Sequence, residues 1–166
     1  MRVAVLISGT GSTLRAIVNA KLNIDIVAVL SDRPDAAGLA FAQASGLSAL
    51  CIQRRNYATK QAFEAALVEA LVAVNPDLIV LAGFMRVLSA DVVARFAGRM
   101  INLHPSLLPK YPGLDTHARA LSAGDAEHGA SVHWVTAELD SGPVIGQTRT
   151  PILPGDTAEM LSARLK

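Results

Sequence analysis

The sequence predicts an α/β fold built on a doubly wound, mostly parallel sheet. Three observations lead to it: the chain has 166 residues, apolar runs typical of buried strands alternate with helical patterns, and this alternation changes only near the carboxyl end. A single core commonly grows to about 100–200 residues before a chain divides. We therefore expect one domain over residues 1–166.

The first unit is a strand, a tight turn and a helix. Residues Val3–Ile7 form an apolar run rich in β-branched side chains, which stops at the glycine-rich turn 9–12. Leu14, Ile17 and Val18 then recur at the spacing of one helix face. Because strands and helices repeat with different periods, this change of spacing marks the boundary between the two elements.

The middle of the chain continues the alternation. Gly46 suits the carboxyl end of one helix, Asn75-Pro76 ends another, and Ser89 suits the N-cap of a third. Continuous apolar runs between them are typical of strands buried on both faces. The predicted strands are Ile24–Leu30, Ala49–Ile52, Leu78–Ala82 and Met100–Leu103, and the predicted helices are Ala37–Ser45, Lys60–Val74 and Ser89–Phe96.

The carboxyl-terminal part has a different pattern. Two strand-like runs, Ser131–Leu139 and Val144–Pro151, are joined by only four residues of turn composition, and so short a link permits only an antiparallel pair. We expect a Rossmann-like sheet with an antiparallel C-terminal hairpin. A last helix begins near Thr157, and the sequence stops within it at Lys166. We therefore expect the domain to lack a C-terminal helical segment.

The composition excludes several classes of partner. A net charge of +1 with 17% charged and 51% hydrophobic residues excludes a disordered tail and a polyelectrolyte that binds nucleic acid. Aromatic residues, at 4%, are too few for a base-stacking platform. No apolar run reaches the length of about 18 residues that spans a bilayer. We expect small-molecule partners, no nucleic acid, no membrane and a cytoplasmic location, with Cys51 a buried small hydrophobe.

The glycine-rich turn after the first strand is a candidate anion site. In α/β sheets ligands bind beyond the carboxyl ends of the strands, where backbone N–H groups and a helix dipole can hold a phosphate. A turn that only lets strand and helix pack closely explains the glycines equally well. A dinucleotide site, with Asp32 on a ribose, is a further alternative, but Leu14 occupies the place of the third glycine in that pattern.

Asn102 and His104 are candidate catalytic residues at the end of the fifth strand. Strand alternation puts both side chains on one side, where an amide can donate to a developing oxyanion and an imidazole can supply a proton or a charge. Pro105 keeps His104 in an extended backbone conformation. The alternative is a strand-end histidine that only makes a hydrogen bond with a backbone group.

Other polar residues leave their roles open. Arg86, in an otherwise apolar exit from the fourth strand, suits a planar ligand with polar edges or is simply solvated. Asp140 is a candidate acid or an ordinary turn former, and His133 lines either the crevice or the core. The spacing of His128 and His133 matches no zinc pattern, so we expect no metal.

Five stretches in order together resemble one family. They are Val5–Ser12, Leu81–Arg86, Ile101–Gly113, His128–His133 and Leu139–Pro143. As a set they resemble the glycinamide ribonucleotide formyltransferases, a branch of the folate-dependent formyltransferases. The Asn102, His104 and Asp140 core is shared across that superfamily, whereas the turn at the first strand suits a small phosphorylated amine.

The resemblance implies a set of binding residues. The substrate phosphate would be held by Gly11, Ser12 and Thr13, although family members often carry Asn at the position of Thr13. Residues of three other segments would receive 10-formyltetrahydrofolate, which is the only cofactor implied. These are Lys60, Met85, Arg86, Val87, Leu88, Asn102, Thr136, Ala137, Glu138, Leu139 and Asp140.

The resemblance also implies direct formyl transfer to the amine of glycinamide ribonucleotide, in de novo purine biosynthesis. Asn102 would donate to the oxyanion, and His104, kept cationic by Asp140, would stabilise it further. Asp140 would accept the proton of the amine. Two alternatives remain: a 10-formyltetrahydrofolate hydrolase, and a non-catalytic NAD-type nucleotide-binding domain.

Overall fold

Strands and helices alternate along the chain in the computed structural model, which describes residues 1–165. Lys166, where the sequence stops, lies outside the described residues. The strands are β1 Arg2–Ile7, β2 Asp25–Ser31, β3 Ala49–Cys51, β4 Leu78–Leu81, β5 Met100–His104, β6 Glu127–Trp134 and β7 Val144–Pro151. The helices are α1 Ser12–Asn19, α2 Ala37–Ala44, α3 Lys60–Val74, α4 Ala90–Arg95, α5 Thr116–Ser122 and α6 Ala158–Arg164, with a short 3₁₀ turn at Arg54–Asn56.

The seven strands form one mixed sheet in the order β3-β2-β1-β4-β5-β6-β7. Strands β1 to β5 are parallel, whereas β6 pairs antiparallel with both β5 and β7. The predicted fold class, including the antiparallel C-terminal hairpin, is therefore confirmed. Because the chain runs outward from β1 through β2 and β3 and then returns to β4, the order reverses between β1 and β4. Ligands bind preferentially at such a switch point.

Alternate residues of β1 supply the two halves of the core. Leu6 packs with Leu67 and Leu71 of α3 on one face of the sheet. Val5 packs with Leu14 of α1 on the other face. All five side chains are at most 2% exposed, and burying each one stabilises the fold by about 1.5–3 kcal/mol. Burial on both faces explains why these strands are continuously apolar.

Helix α3 has the predicted bounds. Its N-cap is Thr59, whose hydroxyl accepts a hydrogen bond from the Ala62 amide at 3.0 Å. At the other end Asn75 adopts a left-handed conformation with φ 43°, and Pro76 prevents a further turn. With 15 residues α3 is the longest described helix, and none in residues 1–165 combines the length and apolarity that a membrane crossing requires.

The structure departs from the sequence prediction in strand β6. This strand covers Glu127–Trp134 rather than Ser131–Leu139. Trp134 pairs with Ile101 near the start of β5, and residues beyond Val135 have no ladder partner there. Residues 136–139 consequently lie in an exposed loop.

Helix α5 was not predicted, and Cys51 was predicted wrongly. Helix α5 has only seven residues and no side-chain cap, because Asp115 before it is left-handed with φ 57°. Cys51 is exposed, since β3 is the edge strand of the sheet. Partial desolvation and the nearby Asp32 carboxylate raise the pKa of the Cys51 thiol, which disfavours the reactive thiolate.

Candidate active site

Three neighbouring strands, β1, β4 and β5, end at the same end of the sheet. Strands β1, β4 and β5 are adjacent and parallel, so the segments that follow them leave the sheet on the same side. These segments begin at Ser8, at Ala82 and, after the last residue of β5, at Pro105. These segments therefore lie at the reversal of strand order, where ligand sites are expected.

Asn102, His104 and Asp140 converge at this end of the sheet. Asn102 and His104 come from β5, and Asp140 comes from the loop after β6. The Asp140 carboxylate lies 3.4 Å from Nδ2 of Asn102 through Oδ1 and 3.5 Å from Nδ1 of His104 through Oδ2. The side chains of His104 and Asp140 are each 6% exposed, so their charges interact largely outside bulk water.

The backbone around Asp140 holds its carboxylate in place. Asp140 has φ 51°, a left-handed conformation that aspartate tolerates better than most residues. Its Oδ2 also accepts a hydrogen bond from the Gly113 amide at 2.8 Å. Gly142 permits the tight return of this loop, because a Cβ there would overlap the carbonyl of Trp134. The loop therefore presents Asp140 inward, towards β5.

His104 lies between two hydrogen-bond acceptors. Its Nε2 is 2.9 Å from the carbonyl oxygen of Tyr111, and its Nδ1 faces Asp140. A neutral imidazole has only one N–H and can donate to one of them, whereas an imidazolium donates to both. Both ring nitrogens of His104 thus face acceptors, and one of these is the backbone contact expected for a strand-end histidine.

His133 is a member of this cluster that the sequence interpretation left open. It lies opposite Asn102 in the β5–β6 ladder, and its Nε2 is 3.1 Å from the Asn102 amide nitrogen. Its Nδ1 is 2.9 Å from the carbonyl oxygen of Trp134. In a neutral ring whose Nδ1 donates to this carbonyl, Nε2 is the nitrogen that accepts from Asn102, and it also lies 3.6 Å from Oδ1 of Asp140. Only the register between β5 and β6, which the sequence does not give, could have revealed this contact.

The segment between β5 and α5 closes one side of the cluster. Tyr111 provides the carbonyl for His104, and its hydroxyl donates to Asp125 at 2.8 Å. Lys110 also donates to Asp125, at 2.9 Å. These two contacts lower the pKa of the Asp125 carboxyl and raise those of Lys110 and Tyr111. The segment is thus anchored outside the cluster that it helps to form.

The glycine-rich turn packs against helix α2. Gly11 has φ 71°, and a Cβ there would lie 2.5 Å from Cα of Gly38. The close packing that the sequence offered as one explanation is therefore present. Ser12 and Thr13 form the first turn of α1 and are partly exposed, and the amides of a first turn have no partner within their helix. The same turn can thus pack closely and present donors to an anion.

A cavity of about 280 Å³ lies beside the segment after β4. It combines apolar side chains with three cations and one buried acid. Its lining residues are Arg54, Lys60, Phe63, Glu64, Met85, Arg86 and Val87. The cavity therefore brings Lys60 together with three other predicted folate-binding residues, Met85, Arg86 and Val87. The side chain of Leu88 packs instead in the core, at 7% exposure, which leaves only its backbone for a ligand.

Arg86 is not simply solvated. Its Nε donates to Oδ2 of Asp32 at 2.6 Å, although 45% of the Arg86 side chain is exposed. Asp32 itself is buried and also accepts from the Ser8 hydroxyl at 2.6 Å. This carboxylate is thus fully engaged by protein groups and is not presented to a ribose, which disfavours the dinucleotide alternative.

The remaining predicted residues lie in the loop before Asp140. Thr136, Ala137, Glu138 and Leu139 are exposed, and the Thr136 hydroxyl donates to the carbonyl of Glu138 at 3.1 Å. Leu139, the last of them, is 52% exposed. The loop therefore borders the carboxylate without being part of the cavity beside Lys60.

No group of three or more His, Cys, Asp or Glu side chains within residues 1–165 is arranged to hold a metal ion. His128 and His133 do not come together, because His128 pairs with His117 at 2.9 Å between Nε2 and Nδ1. Burial, followed by the influence of His117, lowers the pKa of His128, so its neutral form is favoured.

An amide, an imidazole and a carboxylate at the switch point of a parallel sheet define an α/β enzyme suited to group transfer through an oxyanion. The chain matches the formyl transferase family over residues 1–166 and belongs to that family. Membership implies a folate-derived formyl donor.

Individual relatives agree with this assignment. The phosphoribosylglycinamide formyltransferase of Escherichia coli is 46% identical over 170 residues, which cover 100% of this chain and 80% of the relative. That of Haemophilus influenzae is 42% identical over 169 residues, which cover 99% of this chain and 80% of the relative. The solved structure of the phosphoribosylglycinamide formyltransferase of Coxiella burnetii, in complex with CHES, has a TM-score of 0.94 at 49% identity, and the match covers 99% of this chain and 79% of that one.

Proposed function

We propose that this chain transfers the formyl group of 10-formyltetrahydrofolate to the primary amine of glycinamide ribonucleotide, a step of purine biosynthesis. The observation that carries the proposal is the convergence of Asn102 and His104 on Asp140, whose carboxylate lies 3.4 Å from Nδ2 of Asn102 and 3.5 Å from Nδ1 of His104. The names of relatives that share almost the whole chain support the same substrates.

The reaction needs stabilisation of one transient negative charge. The amine nitrogen bonds to the formyl carbon, the carbonyl oxygen becomes an oxyanion, and the bond from that carbon to the folate nitrogen then breaks. His104, with Nδ1 towards Asp140, supplies a positive charge beside the oxyanion, and Asn102 supplies an N–H donor. Asp140 accepts the proton that the amine loses and passes it to the folate nitrogen as that nitrogen departs.

The contacts of Asn102 fit this role. Its amide nitrogen has two hydrogens, one directed at Nε2 of His133 and one at Asp140. The contact with Asp140, at 3.4 Å, is long for a hydrogen bond and therefore weak. An oxyanion beside Oδ1 of Asp140 can replace this weak contact at little cost, while the hydrogen bond to His133 keeps the amide in the same orientation.

The two substrates approach from different strand ends. We assign the phosphate to the first turn of α1, with the amides and hydroxyls of Gly11, Ser12 and Thr13 as donors. We assign the folate to the space between the residues 85–88 and 136–140. The cavity beside Lys60 fits an aromatic acid, because its wall combines Met85 and Val87 with the cations Lys60 and Arg86.

A direct assay tests the proposal. Purified protein is incubated with 10-formyltetrahydrofolate, with and without glycinamide ribonucleotide, and both deformylated folate and formate are measured. We expect deformylation that depends on the amine and yields formylglycinamide ribonucleotide without formate. Formate released at the same rate without the amine would instead identify a hydrolase, and no turnover in either mixture would contradict the proposal.

A further inference from the structure

Asp32 is a buried carboxylate outside the reaction centre. It follows the last residue of β2, and its side chain is 1% exposed. Oδ1 accepts a hydrogen bond from the Ser8 hydroxyl and Oδ2 accepts one from Nε of Arg86, both at 2.6 Å. Asp32 therefore joins the end of β2 to the end of β1 and to the segment that follows β4.

Ser8 extends this connection to the backbone of the same segment. Its hydroxyl oxygen accepts a hydrogen bond from the Met85 amide at 2.8 Å, and its own amide donates to the carbonyl of Gly83 at 3.1 Å. The stretch from Gly83 to Arg86 is thus attached at three points to Ser8 and Asp32. Gly83 itself is left-handed, with φ 77°, which lets the chain turn sharply away from the sheet.

The pairing leaves one end of the Arg86 guanidinium available. Nε is used by Asp32, and among residues 1–165 the two terminal nitrogens have no hydrogen-bond partner. Arg86 also lines the cavity that contains Lys60. Because a guanidinium is planar and rigid, fixing Nε fixes the direction in which the terminal N–H groups point.

A second aspartate in the same turn provides a contrast. Asp35 pairs with Arg33 at 3.0 Å, but the two side chains are 69% and 56% exposed. Exposed ion pairs add little to stability and hold no fixed geometry. A buried carboxylate that loses its cation is, in contrast, strongly destabilising, so Asp32 keeps Arg86 in one position.

We propose that Asp32 is a positioning residue for the formyl donor, an inference that rests on the proposed function. By holding Nε of Arg86, and by holding Met85 through Ser8, it preorganises the segment 83–86 and directs the free end of the guanidinium into the cavity. The ligand group recognised there is an anion, such as a carboxylate of the donor. Asp32 itself touches neither substrate.

The test compares Asp32→Asn with Asp35→Asn by steady-state kinetics. In Asp32→Asn the amide nitrogen faces either Nε of Arg86, donor against donor, or the Ser8 hydroxyl, and in both orientations Arg86 loses the charged partner that fixes its direction. We expect the KM for the formyl donor to rise about tenfold, within the range of couplings between contacting residues. We expect the change in kcat to stay below about twofold, because the reaction centre is intact. Asp35→Asn should match the wild type.

A double variant separates positioning from mere stability. If Asp32 acts through Arg86, then adding Asp32→Asn to Arg86→Ala should raise the KM no further than Arg86→Ala alone. Independent, multiplying effects, or a lower melting temperature with unchanged KM, would overturn the inference. Should Asp32→Asn fail to fold, Ser8→Ala removes the link to Met85 and should raise the same KM about threefold.

Failure of this inference can be distinguished from failure of the proposed function. A wild-type protein without formyl transfer would contradict the proposed function. An active wild type with Asp32→Asn and Ser8→Ala variants of unchanged KM would contradict only the role of Asp32.

Discussion

The amide nitrogen of Asn102 lies 3.1 Å from Nε2 of His133, across the pairing of β5 with β6. When the neutral ring of His133 donates from Nδ1 to the carbonyl of Trp134, Nε2 is the acceptor in this contact. The histidine thereby fixes which end of the Asn102 amide faces Asp140. An N–H donor, and not the amide oxygen, therefore faces Asp140, as the proposed role of Asn102 requires.

His133→Phe should lower turnover through this contact. The phenyl ring fills a similar volume but accepts no hydrogen bond, so the Asn102 amide is free to rotate. We expect kcat to fall about 10- to 100-fold, as small misplacements at a reaction centre do, with a smaller change in the KM of either substrate. Steady-state kinetics measure this, and thermal denaturation checks that the variant is folded. An unchanged kcat would show that the amide is held by other contacts.

Asn102→Ala removes the proposed donor itself. Loss of one oxyanion donor lowers turnover by about 10²–10³, or about 2.7–4 kcal/mol. We expect this loss in kcat with little change in the KM for the formyl donor, because the hydrogen bond from Asn102 acts mainly in the transition state. A near-normal kcat would remove Asn102 from the mechanism.

Asp140→Asn keeps the shape of the side chain and removes its charge. His104 then faces an amide instead of a carboxylate at 3.5 Å, and no group remains there to accept the amine proton. General-base catalysis is worth about 10²–10⁴, so we expect kcat to fall by about that factor. A rapid-quench measurement with enzyme in excess reports the transfer step directly. The role of Asp140 is wrong if that step keeps its wild-type rate.

Local patterns predicted most of the fold. Helix α3 has the predicted bounds because a capping threonine before it and Asn75-Pro76 after it act within a few residues. The end of β6 was wrong because it depends on where β5 ends, a contact distant in sequence. Helix α5 was missed because seven uncapped residues carry little helical signal of their own.

The candidate site was likewise predicted only in part from local pattern. Alternation along one strand suffices to place Asn102 beside His104. Local pattern left Asp140 open between an acid and a turn former, and only the family resemblance gave it a catalytic role, since its approach to β5 depends on a loop with a left-handed residue. His133 and Asp32 act through partners 31 and 54 residues away, and no local pattern encodes such contacts.

The buried His128 should make stability depend on pH. Burial and His117 lower its pKa below the usual value of about 6.5, whereas Asp125 opposes this. Between the lowered and usual values the unfolded chain binds more protons than the fold, so the free energy of unfolding falls as the pH is lowered. We expect urea denaturation to show lower stability at about pH 5.5 than at about pH 7.5.

The variant His128→Gln tests the source of this dependence. It cannot take up the proton, so its stability should differ less between the two pH values than that of the wild type. Equal pH differences in both proteins would assign the effect to other groups.

Two alanine substitutions distinguish close packing from backbone conformation at the glycine-rich turn. Gly11 and Gly46 have nearly the same φ, 71° and 72°, so alanine is strained to a similar extent at both. At Gly46 a Cβ would meet nothing within 4 Å, whereas at Gly11 it would lie 2.5 Å from Cα of Gly38. Gly46→Ala should therefore lower the free energy of unfolding by about 1–2 kcal/mol, the strain alone.

Gly11→Ala should lower it by about 2–5 kcal/mol, because overpacking adds to the strain. Urea denaturation of the two variants and the wild type measures the difference. The excess at Gly11 is the contribution of the contact between the turn after β1 and helix α2, which positions the amino end of α1. Equal losses in the two variants would mean that this contact relaxes freely, and that α1 can shift its first turn without loss of stability.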